Sequence, residues 1–143
     1  MTTEGNIAAF RRLIEVGFSQ GDLDVVDELV SPDAIEHQRG SKPGIDGVKA
    51  TISTLRDWFS DLDLSVVKLC ADADTVWALN RARGTNTGSI FGNPPTGGSM
   101  EIDVIDLARF VDGKLVEHWG VADQLGMLIQ LGLMQRPKSA GAR

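Results

Sequence analysis

The stretch Met100–Gly132, MEIDVIDLARFVDGKLVEHWGVADQLGMLIQLG, decides the fold. Two runs of apolar residues flank Asp112-Gly113, and a helical pattern follows from Gln124. Asp-Gly between such runs is a strong hairpin signal, because both central residues of a type I′ turn need positive φ. A two-residue loop predicts Val111 opposite Lys114 and Phe110 opposite Leu115. Carried along the ladder, the same register sets Ala108 opposite Glu117, Asp106 opposite Trp119, Val104 opposite Val121 and Ile102 opposite Asp123. Side chains alternate along a strand, so Asp106, Glu117, Trp119 and Asp123 are expected on one face. The other face holds Ile105, Leu107 and Arg109 against Val116, His118 and Gly120. Both faces are half apolar. One is expected to line a cavity and the other to pack on a helix or a partner subunit.

Carboxylates on an apolar strand face are costly unless paired, hydrogen-bonded or protonated. Acids placed where a core would want Val or Leu point to a reactive pocket. Asp106 and Asp123 lie four ladder positions apart, about 13 Å, too far to share a proton unless a bulge intervenes. Asp123 also precedes the helical pattern and is a favoured N-cap residue, so capping and chemistry both stay open for it. Glu117, near the turn, is expected at a solvated rim. Trp119 either walls the pocket against a flat ligand or fills core.

Upstream of the hairpin, helices come first. Ile7, Phe10, Ile14 and Phe18 recur at helical spacing, so 3–19 reads as an amphipathic helix ended by Gly21. Asp22 can cap a short second helix with Leu23, Val26 and Leu29 as its stripe, stopped at Ser31-Pro32. An extended piece, 34–38, precedes a third helix marked by Ile45, Val48, Ile52, Leu55 and Phe59. From Leu62 the period becomes two. Along 75–90, Val76, Ala78, Asn80, Ala82, Gly84 and Asn86 share one face, a row of small side chains that leaves room above a sheet. Phe91–Ser99, FGNPPTGGS, is a loop. Helices segregated before an antiparallel sheet give an α+β fold. Residues 1–135 form one domain, and 136–143 form a flexible C-terminal tail.

The 143 residues suffice for one domain with a core, and a net charge of −6 without a basic stripe argues against nucleic acid as partner. No apolar run approaches the roughly 20 residues of a membrane span. The one cysteine, Cys70, excludes an intrachain disulfide and fits a reducing cytoplasm. It lies in an apolar run and reads as a buried, inert thiol. The dipeptides Glu36-His37 and Glu117-His118 point their members to opposite strand faces, so neither clamps a metal, and no metal motif is present. His118 is expected in packing or at an interface, and Arg81 and Arg83 in outer-face ion pairs.

RARGTNTG, FGNPPTGGS and the whole hairpin–helix stretch, with IEHQRGSKPGIDGVKA near the start, resemble the SnoaL-like polyketide cyclase family over residues 5–133. The resemblance implies the cone-shaped fold of the nuclear transport factor 2 superfamily, in which a curved antiparallel sheet wraps around N-terminal helices and encloses a pocket. It implies an intramolecular aldol condensation on a hydrophobic, polyketide-like ligand with no metal and no organic cofactor. Asp123 would be its acid/base carboxylate, and His37 would lie near the pocket mouth. Asn86 and Asp106 stand where characterised relatives carry His and would contact substrate with Trp119. Many relatives dimerise through the outer face of the sheet, so a homodimer is implied. Ketosteroid-isomerase-like chemistry lacks its Tyr here, since the chain has none. Epoxide-hydrolase-like chemistry lacks its acids, because Arg83 and Gly120 occupy their places. A non-catalytic small-molecule binding protein on the same fold is the remaining alternative.

Overall fold

The computed structural model describes residues 2–138. Helix α1 (Thr3–Arg12) is capped by Thr2, whose side chain accepts from the Gly5 amide. It continues into a π-helical stretch, Leu13–Phe18, which buries Leu13 and Ile14. Helix α2 (Asp24–Leu29) leads directly into β1 (Val30–Glu36), and α3 (Gly44–Trp58) follows. Strands β2 (Asp63–Asp72), β3 (Thr75–Thr85), β4 (Ser99–Val111) and β5 (Lys114–Ala122) complete a sheet, and α4 (Gln124–Gln130) follows the last strand.

The five-stranded sheet has the order β1-β5-β4-β3-β2. Strands β2 to β5 form an antiparallel meander, whereas β1 lies parallel to β5. The expectation of an antiparallel sheet therefore holds for four strands, and the early extended piece joins at the edge in the other sense. A parallel neighbour needs a long crossover, and here the whole β2–β4 meander with α3 supplies it. The concave face carries Val76, Ala78, Ala82, Ile102, Ala108 and Phe110, and against it pack Phe10, Ile14, Val26, Ile52 and Phe59, all buried. The room left by the small side chains of β3 is taken by these helical and loop residues.

Asp112 and Gly113 have φ of 50° and 80°, as the type I′ turn requires, and the pairs Val111–Lys114 and Phe110–Leu115 form as expected. The register then shifts between Arg109 and Phe110. Val116 is the extra residue, and past this bulge each residue of β5 turns to the face opposite to the one expected. Asp106 pairs with Gly120 rather than Trp119, Ala108 with His118 rather than Glu117, and Val104 with Ala122 rather than Val121. The cause is packing: Leu115 is buried at the turn, and the bulge lets both it and His118 face inward.

Cys70 pairs with Trp77 and is exposed, which corrects the buried-thiol reading. The strand turns it outward with Trp77 while Leu69 and Ala71 pack inward. Arg81 pairs with Asp103 at 2.9 Å and Arg83 with Glu101 at 2.9 Å. No helix among the described residues is long and apolar enough to cross a membrane. Residues 136–138 are exposed and outside regular elements, and the remainder of the expected tail, 139–143, lies outside the described residues.

Candidate functional site

The bulge in β5 gathers four polar side chains on the concave face. Parallel pairing sets Glu36 of β1 beside His118 of β5. His118 donates from Nδ1 to Glu36 Oε2 at 2.6 Å and from Nε2 to Asp106 Oδ1 at 2.7 Å. From β3, Asn80 Nδ2 donates to Asp106 Oδ2 at 2.6 Å. Asp106 and Asn80 are buried. Each imidazole nitrogen faces a carboxylate oxygen, so both act as donors and the ring is an imidazolium. Burial pulls the His118 pKa down. The hydrogen bonds from Asp106 and Glu36, with their charges, outweigh it and hold the ring up at about 9. Glu36, His118 and Asp106 thus form a carboxylate–imidazolium–carboxylate line. Asn80 Oδ1 is left buried and unpaired, because its amide must turn the donor end to the Asp106 carboxylate.

The residues singled out from sequence do not all meet here. Of them Asp106 is in the cluster. Trp119, expected opposite Asp106, pairs with Leu107 and stacks on His37 with ring centres 4.6 Å apart and 8° between planes. His37 Nε2 lies 2.8 Å from Glu117 Oε2, and Arg109 Nε donates to Glu117 Oε1 at 3.0 Å. The His37 bond, and then Arg109, hold the Glu117 carboxyl below its usual range against the pull of burial. Glu117 is therefore an ion-paired outer-face group rather than a solvated rim acid on the Asp106 face. His118 is correspondingly corrected from packing or interface to the inner cluster.

Asn86 is buried. It donates to Trp58 O at 3.1 Å and Gly88 O at 2.9 Å, and accepts from Thr96 N at 2.8 Å and Thr96 Oγ1 at 3.2 Å. These bonds pin the 86–98 loop. Asp123 is exposed, and its Oδ1 accepts from Gly126 N at 2.9 Å as the N-cap of α4. It also lines a surface hollow of about 240 Å³ with Ile129 and Gln130. A larger hollow of about 440 Å³ opens between Asp61, Arg83, Thr85 and Gln130. Reading the sequence missed Glu36, His118 and Asn80 as one group. The available signal was the inner row Leu115, His118, Gly120, Ala122, whose first step of three residues is the mark of a bulge.

The helices wrapped by a curved sheet define an α+β domain of the nuclear transport factor 2-like class. The family model described as SnoaL-like polyketide cyclase matches residues 8–131. The chain is 30% identical over 128 residues to the aklanonic acid methyl ester cyclase DnrD of Streptomyces peucetius, which covers 85% of this chain and 87% of that protein. It is 31% identical over 121 residues to the nogalonic acid methyl ester cyclase of Streptomyces nogalater, covering 80% and 89% respectively. Among solved structures, TsrD from Streptomyces laurentii matches with a TM-score of 0.79 at 26% identity over 92% of this chain and 95% of that one. IdmH from Streptomyces antibioticus matches with a TM-score of 0.77 at 31% identity over 92% and 99%. The chain belongs to the SnoaL-like polyketide cyclase family.

Proposed function

We propose that this protein closes a ring in a hydrophobic, polyketide-like ester by cofactor-free intramolecular aldol condensation, with Asp106 and His118 as the acid/base pair. The observation that carries this reading is the line Glu36–His118–Asp106 on the concave face of a family member. In the proposed reaction the Asp106 carboxylate takes a proton from a carbon activated by flanking carbonyls. That carbon attacks a carbonyl carbon of the same molecule, and the C–C bond forms. The carbonyl oxygen becomes a hydroxyl with the proton of His118. The proton on Asp106 then crosses the 2.7 Å bond to His118, which restores both groups. Proton transfer by a positioned side chain contributes roughly 10²- to 10⁴-fold. Glu36 keeps the imidazole oriented throughout and favours its charged form, which the last transfer restores. Partly buried Val104 and Ala122 supply apolar surface beside the pair.

The resemblance gives the acid/base role to Asp123. Its exposed, helix-capping position supports giving the chemistry to Asp106 instead. A non-catalytic binding protein is the second reading. It is favoured by the fact that both ring nitrogens of His118 and both oxygens of Asp106 already bond protein groups. We also propose a homodimer through the outer sheet face, where Val67, Trp77, Ile105 and Val121 are exposed.

The test is incubation with aklanonic acid methyl ester, followed by chromatography for a product of unchanged mass. Asp106→Asn is expected to lower kcat by roughly 10²- to 10⁴-fold, with Asp123→Asn close to wild type. Full turnover by Asp106→Asn sinks the assignment, and loss confined to Asp123→Asn moves the role there. Tight retention of the ester with no product favours the binding reading.

A further inference from the structure

Gly120 sits on the concave face directly opposite Asp106. A Cβ at this position would overlap Gln38 Oε1 and lie 2.8 Å from His118 Cε1 and 3.0 Å from Asp106 Oδ1. Three polar side chains thus converge on one point that has no side chain of its own. Gln38 reaches it from the loop after β1. Its backbone is held at both ends, the amide donating to Glu36 Oε2 at 3.1 Å and the carbonyl accepting from Ser41 N at 3.2 Å. The carboxylate that orients His118 therefore also aims Gln38. The carboxamide itself has no hydrogen-bond partner among the described residues.

A carboxamide suits this place for a physical reason. It has two N–H donors, bears no charge to disturb the carboxylate–imidazolium line, and does not titrate against His118. Rotation about its last side-chain bond brings either the oxygen or the NH₂ to the same point. A donor there meets a carbonyl oxygen, and its bond strengthens as that oxygen gains charge.

We propose that Gln38 binds the carbonyl under attack, its Nε2–H donating to the oxygen, and that Gly120, by lacking a side chain, lets the carboxamide take this place beside His118 and Asp106. This rests on the ring-closing reading and deepens it, because it specifies a ketone or ester carbonyl within reach of both His118 and Asp106. Gly120 is then the residue that admits the carboxamide, and Gln38 the residue that recognises the substrate.

The experiment compares Gln38→Leu, which keeps the size and removes the donor, with Gly120→Ala, which pushes the carboxamide off its point. With the methyl ester probe, each is expected to lower kcat by roughly 10²-fold, with KM within about threefold, because the bond is worth most in the transition state. The double variant should be no worse than the poorer single one. In Gln38→Leu the His118 titration, followed by NMR, should stay where the wild type has it. Wild-type kcat in Gln38→Leu overturns the proposal, whatever Gly120→Ala does. A His118 titration that moves with the activity in Gln38→Leu also overturns it, since Gln38 would then act by positioning the imidazole. A Gly120→Ala chain that does not fold leaves Gln38→Leu to decide. If the wild type binds the ester without turnover, the ring-closing reading falls and affinity decides this one. Weaker binding by Gln38→Leu supports it and equal binding overturns it. No binding by the wild type overturns both.

Discussion

His118 is the residue whose surroundings matter most. Its pKa of about 9 in the folded chain exceeds the ordinary value of 6.5. A group with a raised folded pKa contributes stability that is complete below its unfolded pKa and disappears as pH rises through the folded one. The unfolding free energy is therefore expected to fall between pH 6.5 and about 9, by on the order of 3 kcal/mol. His118→Gln should flatten this slope. Urea denaturation at pH 6 and pH 9.5 measures both chains, and a wild type with no slope would show that the imidazole is not held charged by its two neighbours. Asn86 acts differently. Asn86→Ala leaves the carbonyl of Gly88 and the amide of Thr96 without this partner, whereas the Trp58 carbonyl keeps the Thr87 amide at 2.9 Å. Loss of buried partners of this kind costs about 1–3 kcal/mol. Amide exchange in the 86–98 loop should rise with it, and an unchanged loop would mean that the backbone finds other partners.

At the scale of the element, the β4–β5 hairpin shows how one residue redirects a site. The turn at Asp112-Gly113 follows from local φ preferences, and a β-branched residue at Gly113, with φ of 80°, should cost about 1–2 kcal/mol. The bulge at Val116 is a different matter. Deleting Val116 would give a continuous ladder that keeps Ala108 opposite His118 and Asp106 opposite Gly120. The expected outcome is a chain whose His118 titration stays raised. A deletion variant whose His118 returns to the ordinary range would show that the bulge itself, rather than the register beyond it, sets the raised pKa. Helix α4 follows the same local logic as the turn. Asp123 caps it through Gly126 N, so one of the two uses read for Asp123 is seen directly, and its proton-transfer use stays with Asp123→Asn.

For the whole molecule, the outer sheet face is the surface that lacks a cover. Ile105 and Val121 pair across β4 and β5, and both are exposed, Val121 at 71%. If the proposed homodimer forms there, Ile105→Glu with Val121→Lys should leave a folded monomer, read by sedimentation over a concentration series. A wild type that sediments as a monomer at every concentration removes the dimer from the proposal.

Much of this architecture was legible in the chain. The helical spacing of Ile7, Phe10 and Ile14, the period-two runs after Leu62 and the Asp-Gly turn each depend on neighbours a few residues away. Backbone sterics and side-chain periodicity act at that range, so the α+β order could be read directly. The register past Val116 depended on fitting Leu115 and His118 to one packed face. The salt line from Glu36 to Asp106 joins β1, β4 and β5, whose neighbourhood exists only once the parallel edge has formed. Local preference determined the elements of this protein, and long-range packing decided which of its acids and histidines meet, because a ladder with period two turns one inserted residue into a change of face for everything beyond it.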